Sequence, residues 1–318
     1  MVPTPRHGAA ARTAASAVGV AAVLLSAIMC ACACALLLRG RAPGGKDPFT
    51  IPAGSPTAAR VVASLTTTPQ RLDKLGGTLD SLLAQTVTPD RIYLNIPRVF
   101  KRTGEAYDLA RLPSRYANHP LVKVVRCDDF GPITKLLPTI GREQALGSPE
   151  STLLWVVDDD HVYPPNYLQV ALGVAEAHPH AAVSLSCTDL YTVADPAERS
   201  AYPEPRCGVA EAFAGILYRL GFFASGLSLS DYLAVALASD ACFRSDDFVV
   251  SNYLEMKHIP RVKIVSPLLG LKDLKTLEYG LQSDALHKSD ASMGMRYDRC
   301  NAYLRARGYG SDLETVIR

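Results

Sequence analysis

The chain has 318 residues, 48% hydrophobic and 20% charged, with 33 Lys and Arg against 31 Asp and Glu. That content supports one large core or two modest ones and excludes a disordered protein. A net charge of +2 gives no basis for a polyanionic partner, and no basic and aromatic cluster tracks a nucleic-acid backbone, so nucleic acid is not expected as a ligand.

Residues 1–12 read as a short tail. Residues 13–38 carry no charge, lie between Arg12 and Arg39, and are long enough to cross a bilayer as one helix. Ala31, Ala33 and Ala35 offer small residues to a signal peptidase, but the run exceeds the usual signal core, so an uncleaved transmembrane signal-anchor is expected. Basic residues flank it on both sides, and charge does not set its orientation. Residues 39–58, rich in Pro, Gly and Ala, read as a stem, with one folded domain over 59–318. Cys30, Cys32 and Cys34 fall in the apolar run. The other five, Cys127, Cys187, Cys207, Cys242 and Cys300, are too widely spaced for a zinc knuckle, allow one or two disulfides, and leave at least one thiol unpaired.

Ordered structure is expected from about residue 60, with a strand at 60–65. Leu72, Leu75, Leu79, Leu82 and Leu83 then recur at helical spacing. Ile92, Leu94 and Ile96 alternate as a second strand, and Val122, Val124 and Val125 suggest a third. A turn at Gly131-Pro132 precedes a short helix around 135–137. Five apolar residues, Leu153-Leu154-Trp155-Val156-Val157, then run into Asp158-Asp159-Asp160 and read as a buried strand whose end presents carboxylates to a cleft. Helices are expected at 167–177, 231–238 and 246–257 and a strand at 181–185, while 208–226 is Gly-rich and aromatic. Alternation of strand and helix points to an α/β domain with a mostly parallel sheet, in which ligands bind beyond the carboxyl ends of strands.

Three adjacent carboxylates repel one another, so a partner cation is the simplest reason to collect them. Side chains two apart on an extended segment point the same way, which would let Asp158 and Asp160 address one ligand. A hard divalent ion, Mn²⁺ or Mg²⁺, takes oxygen ligands and keeps positions open for diphosphate oxygens, whose growing charge it would stabilise.

Four segments carry a resemblance. Ser64-Leu65-Thr66-Thr67-Thr68-Pro69-Gln70-Arg71-Leu72, Gly131-Pro132-Ile133-Thr134-Lys135-Leu136, Trp155-Val156-Val157-Asp158-Asp159-Asp160-His161-Val162-Tyr163-Pro164 and Ser245-Asp246-Asp247-Phe248-Val249-Val250-Ser251 resemble, in that order, glycosyltransferases of the GT-A (Rossmann-like) fold, most like glycosyltransferase family 2. The resemblance implies transfer of a sugar from a nucleotide-sugar, a UDP-sugar in the first instance, to a hydroxyl on a glycan, glycoprotein or glycolipid, with inversion. It places Thr66, Thr67 and Arg71 on the nucleotide, Lys135 near the nucleotide-sugar, Asp158 and Asp159 on the donor side and Asp160 on the metal with Asp158. Asp246 and Asp247 match an acidic pair of which one member is the general base. A segment from Glu211 to Arg219 resembles one lining the sugar pocket, with Gly215 permitting close backbone approach; a buried strand whose small residues serve packing is the other reading of it. His287 is a further candidate metal ligand. The implied setting is a single-pass type II membrane protein with its domain in the Golgi lumen.

Two other readings fit the aspartates. Asp158-Asp159-Asp160-His161-Val162 satisfies the haloacid-dehalogenase phosphatase pattern, with Asp158 as nucleophile and Asp160 as acid/base, although that nucleophile normally follows the first strand. A membrane-anchored lectin-like or Ca²⁺-binding module would use the cluster structurally and would need neither the second acidic pair nor a nucleotide-sized cleft.

Overall fold

The computed structural model describes residues 60–188, 207–281, 293–311 and 313. Seven strands form its central sheet: β1 Val61–Thr66, β2 Arg91–Pro97, β3 Val122–Cys127, β4 Leu153–Val156, β5 Ala182–Ser184, β6 Ile216–Arg219 and β7 Arg261–Lys263, in the order β7-β5-β6-β4-β1-β2-β3. The pairs β4-β1, β1-β2, β2-β3 and β7-β5 are parallel, and β6 runs antiparallel to both its neighbours. The architecture is therefore mixed α/β with a mostly parallel sheet.

Strand periodicity divides the core into two layers. Val61, Ala63, Leu65, Leu153, Trp155 and Val157 pack on one face against Leu75, Leu79 and Leu82 of helix α1 (Gly76–Leu83, with Leu75 as its N-cap) and Leu168 and Ala171 of α3 (Tyr167–Ala177). Val62, Leu154 and Val156 face the other way, against Ile140 of α2 (Leu137–Ala145), Leu233 of α4 (Leu229–Ala236), Phe248 of α5 (Asp246–Met256) and Leu304 of α6 (Met293–Arg305). Side chains of a strand alternate between faces, so a strand covered on both sides must be apolar throughout; β1 and β4 are nearly so. Ser64, polar in the middle of β1, is fully buried and bonded to the Lys135 carbonyl and the Thr139 hydroxyl.

Helix α6 was not expected from the sequence, and strand β6 realises the buried-strand reading of residues 211–219. The strand lies inside the Gly-rich stretch and begins directly after Gly215, whose φ of +84° suits glycine. Added there, a Cβ would stand 2.7 Å from Tyr167 Cζ and 3.0 Å from Trp155 Nε1. The close approach at Gly215 is thus that of its own core aromatics.

The single-pass, Golgi-lumenal placement is corrected: among the described residues no helix is long and apolar enough to cross a membrane. The longest of them, α6, has 13 residues, about 20 Å at 1.5 Å per residue against a hydrocarbon core of about 30 Å. The expected span at 13–38, the stem and His287 lie outside the described residues.

Two disulfides form, Cys187–Cys207 and Cys242–Cys300, and Cys127 is a buried free thiol. The first closes a short antiparallel ribbon, Cys187–Thr188 against Val209–Ala210; the second ties the helical turn Asp240–Phe243 to α6. They span sequence separations of 58 for Cys242–Cys300 and 20 for Cys187–Cys207. Constraint of the unfolded chain then contributes about 4 and about 3 kcal/mol respectively. The double variant Cys242→Ser/Cys300→Ser should accordingly lose more unfolding free energy than Cys187→Ser/Cys207→Ser, as read by urea denaturation of the two proteins; the reverse order would mean that native strain, not chain entropy, dominates.

Candidate active site

From β1 the chain steps outward to β2 and β3 and then returns to β4 on the opposite side of β1. Connections leaving the carboxyl ends of β1 and β4 therefore diverge, and a crevice opens between them, the position where open α/β sheets bind ligands. A cavity of about 720 Å³ occupies this position. Thr66 and Arg71 enter it from the end of β1, Asp158, Asp160 and His161 from the end of β4, Lys135 from the turn before α2, and Asp246 and Asp247 from the start of α5.

Beyond the end of β4 at Val156 the three aspartates part from one another. Asp158 continues the parity of Leu154 and Val156 and meets Lys135, whose Nζ donates to Asp158 Oδ1 at 2.6 Å and pairs with Asp246 Oδ2 at 2.9 Å. Burial alone would lower the Lys135 ammonium, but Asp158, Asp246 and Asp247 outweigh it and hold the group well above its ordinary value. One buried cation thereby joins two acidic motifs far apart in the chain.

Asp159 shares the parity of Trp155 and Val157 and turns to the α1 side. Thr67 Oγ1 donates to its Oδ2 and Arg71 Nη1 to its Oδ1 at 2.9 Å, while its carbonyl accepts from Thr78 Oγ1 at 2.6 Å and Tyr279 Oη at 2.7 Å. Neither Asp159 nor Thr67 lines the cavity. Together they brace the turn that presents their neighbours. Burial pushes the Asp159 carboxyl up to about 6, with Asp160 adding to the rise and Arg71 and Thr67 opposing it.

Asp160 follows Asp159 in the same turn. Its Oδ2 accepts from Arg71 Nη1 at 3.2 Å and its Oδ1 lies 2.7 Å from His161 Nδ1. Burial would raise this carboxyl, but His161 and Arg71 more than compensate and hold it below the ordinary value. His161 Nε2 stands 3.1 Å from Thr276 Oγ1 on the short strand Lys275–Thr276. The backbone at Gly280 closes the far side: a Cβ there would stand 2.8 Å from Asp160 Oδ2.

The expected divalent ion on Asp158 and Asp160 does not fit this arrangement. Each carboxylate belongs to a different cation, Lys135 for one and Arg71 with His161 for the other, and both oxygens of Asp160 are engaged. No three His, Cys, Asp or Glu side chains among the described residues converge as metal ligands do.

At the opposite wall, Asp247 Oδ1 accepts the Ala212 N–H at 3.1 Å. Burial first, then the neighbouring Asp246, hold the Asp247 carboxyl well above the ordinary value, and Lys135 only partly offsets them. Ser245 stands at the N-cap of α5 but makes no side-chain capping bond. Gly215 lies beneath this wall and does not line the cavity. Glu211, which does, accepts from Ser186 Oγ at 2.5 Å and Thr188 Oγ1 at 2.6 Å. Sequence reasoning assigned no role to His161, Arg244 or Arg296, which also line the cavity. His161 adjoins Asp160 and Arg244 adjoins Ser245, so proximity to the acidic motifs could have flagged them; nothing local marks Arg296.

No family model matches the chain, and no curated protein does. Among solved structures, a match is "Mannosyltransferase PcManGT from Pyrobaculum calidifontis in complex with GDP-Man and Mn2+", 15% identical with a TM-score of 0.42, covering 92% of this chain and 86% of that one. A likeness at that score carries no argument about the fold or activity of this protein.

The raised Asp159 carboxyl has a consequence for stability. An acid whose folded pKa exceeds its unfolded value stabilises the fold when protonated, and that contribution is lost as pH rises from about 4 through the folded value, here about 6. Asp159→Asn should flatten the decline in unfolding free energy over this interval relative to the unmodified protein, measured by urea titrations at a series of pH values. An unchanged slope would show that Asp159 ionises normally.

Proposed function

We propose that the protein is a glycosyltransferase that moves a sugar from a nucleotide-sugar, with UDP-sugars first among the donors to be tested, to a hydroxyl on a glycan, glycoprotein or glycolipid. The observation that carries the reading is the Lys135 ammonium held between Asp158 and Asp246, because it sets both acidic motifs on one nucleotide-sized cavity at the switch point of the sheet. A module using its aspartates only to bind an ion or a glycan would need no second acidic pair there. A phosphatase of the pattern considered above would carry its nucleophile after the first strand, whereas Asp158 follows β4.

In the proposed reaction the acceptor oxygen attacks the anomeric carbon from the face opposite the diphosphate. The bond from that carbon to the diphosphate oxygen breaks, its electron pair leaves with the diphosphate, and a single displacement inverts the centre. The proton of the acceptor hydroxyl passes to a carboxylate. Asp247 suits this task, because the environment that raises its pKa makes it a stronger base than an ordinary carboxylate, while Asp246 is held in an ion pair with Lys135. The Ala212 N–H fixes the orientation of Asp247. Thr66 and Arg71 lie where the nucleotide would enter from the end of β1.

A panel of nucleotide-sugars tested for hydrolysis and binding by the purified protein decides the reading, and binding of none would defeat it. With the donor in hand, Asp247→Asn should keep nucleotide affinity while transfer falls by about 10²–10⁴-fold. Loss of affinity as well would make Asp247 a structural residue. For the unmodified protein, kcat/KM should rise with pH along an acidic limb lying above the ordinary carboxylate range of about 4; a limb at that value would exclude Asp247 as the base.

A further inference from the structure

We infer that the donor diphosphate is held, and the charge it gains on departure is met, by the side chains of Arg71 and Lys135, so that nucleotide binding needs no divalent ion; this rests on the glycosyl-transfer reading. Three observations carry it. Arg71 already engages one of the two carboxylates expected to carry a metal: its Nη1 lies 3.2 Å from Asp160 Oδ2 and 2.9 Å from Asp159 Oδ1, and its Nη2 donates to the Tyr279 carbonyl at 3.2 Å. A divalent ion seated on Asp160 would have to displace a guanidinium clamped by two carboxylates and a carbonyl, or share an oxygen with it against direct repulsion.

Asp158 and Asp160 also do not converge. Lys135 draws the first towards Asp246 on the α5 side, while Arg71 and His161 hold the second against the segment that carries Thr276 and Gly280. The strand ends at Val156, before both of them, and the chain turns at Asp159 and Asp160, so the common direction that an extended segment would give is lost.

Lastly, the cavity does not need a metal to avoid repelling a diphosphate. Five acidic side chains line it, and five basic ones match them: Arg71, Lys135, Arg102, Arg244 and Arg296. Fixed guanidinium and ammonium groups in a partly desolvated site stabilise phosphate oxygens through charge-assisted hydrogen bonds and need no reorganisation when charge develops. Arg71 lies at the end of β1 and Lys135 before α2, so the two cations approach from different elements of the crevice and can bracket an extended dianionic group.

Titration calorimetry of the purified full-length protein with UDP and with GDP, once in excess EDTA and once in excess Mn²⁺, tests this. Affinity for whichever nucleotide binds should agree within about a factor of three between the two conditions, and in EDTA Arg71→Met should weaken it by at least about tenfold with partial recovery in Arg71→Lys. Binding only in Mn²⁺ would overturn the inference and leave the glycosyltransferase reading intact. An Arg71→Met protein that binds as the parent does in EDTA would also overturn it. No binding of either nucleotide in either condition would defeat the glycosyltransferase reading itself. Should Arg71→Met fail to fold, the comparison of EDTA with Mn²⁺ on the unmodified protein still decides.

Discussion

The site depends on one buried ammonium. Removing a lysine from water costs several kcal/mol unless its charge is answered at close range, and Lys135 is answered by Asp158 and Asp246 with Asp247 nearby. The same contact acts in the other direction. Without the cation, carboxylates from β4 and α5 would face one another across the cavity in a medium that screens them poorly. The sheet and the α5 layer are thus held in register at the point where chemistry is proposed to occur, by an interaction strong only because water is largely excluded from it.

Below that contact lies a layer that does not line the cavity. Thr67, Thr78 and Tyr279 bond Asp159 by side chain or carbonyl, and Ser64, Asn95 and Thr139 bond one another and the Lys135 carbonyl. Such networks hold a turn to one conformation because each unpaired buried group would carry a desolvation cost. The acidic turn after β4 and the turn that positions Lys135 are therefore each fixed from beneath, and the cavity walls inherit that order.

The two walls are built differently. The wall at the ends of β1 and β4 hangs from paired parallel strands and their hydrogen bonds. The wall of Glu211, Arg244, Asp246 and Arg296 belongs to segments outside the central sheet, and both disulfides fall there: one closes the ribbon that leads into Glu211, the other ties the segment before Arg244 to α6. Covalent links appear where the sheet offers least support.

Elements governed by local periodicity were legible from the amino-acid order: β1, β2, β3, β4, α3 and α5 lie where apolar spacing puts them, because a strand buried on both faces must be apolar and a helix must repeat near 3.6 residues. Two disulfides and a leftover thiol were within what five cysteines allow. By contrast β6 was legible only as one of two readings of residues 211–219, since pairing with β4 and β5 is what makes four residues in a glycine-rich, aromatic stretch a strand. The acidic motifs were visible as clusters of charge, but not their division. Whether Asp158, Asp159 and Asp160 share a ligand depends on where β4 stops and on which cations the sheet brings to each, Lys135 to one and Arg71 to the other two. Those partners lie 23 and about 90 residues away in sequence, and only the folded arrangement of strands sets a contact of that range.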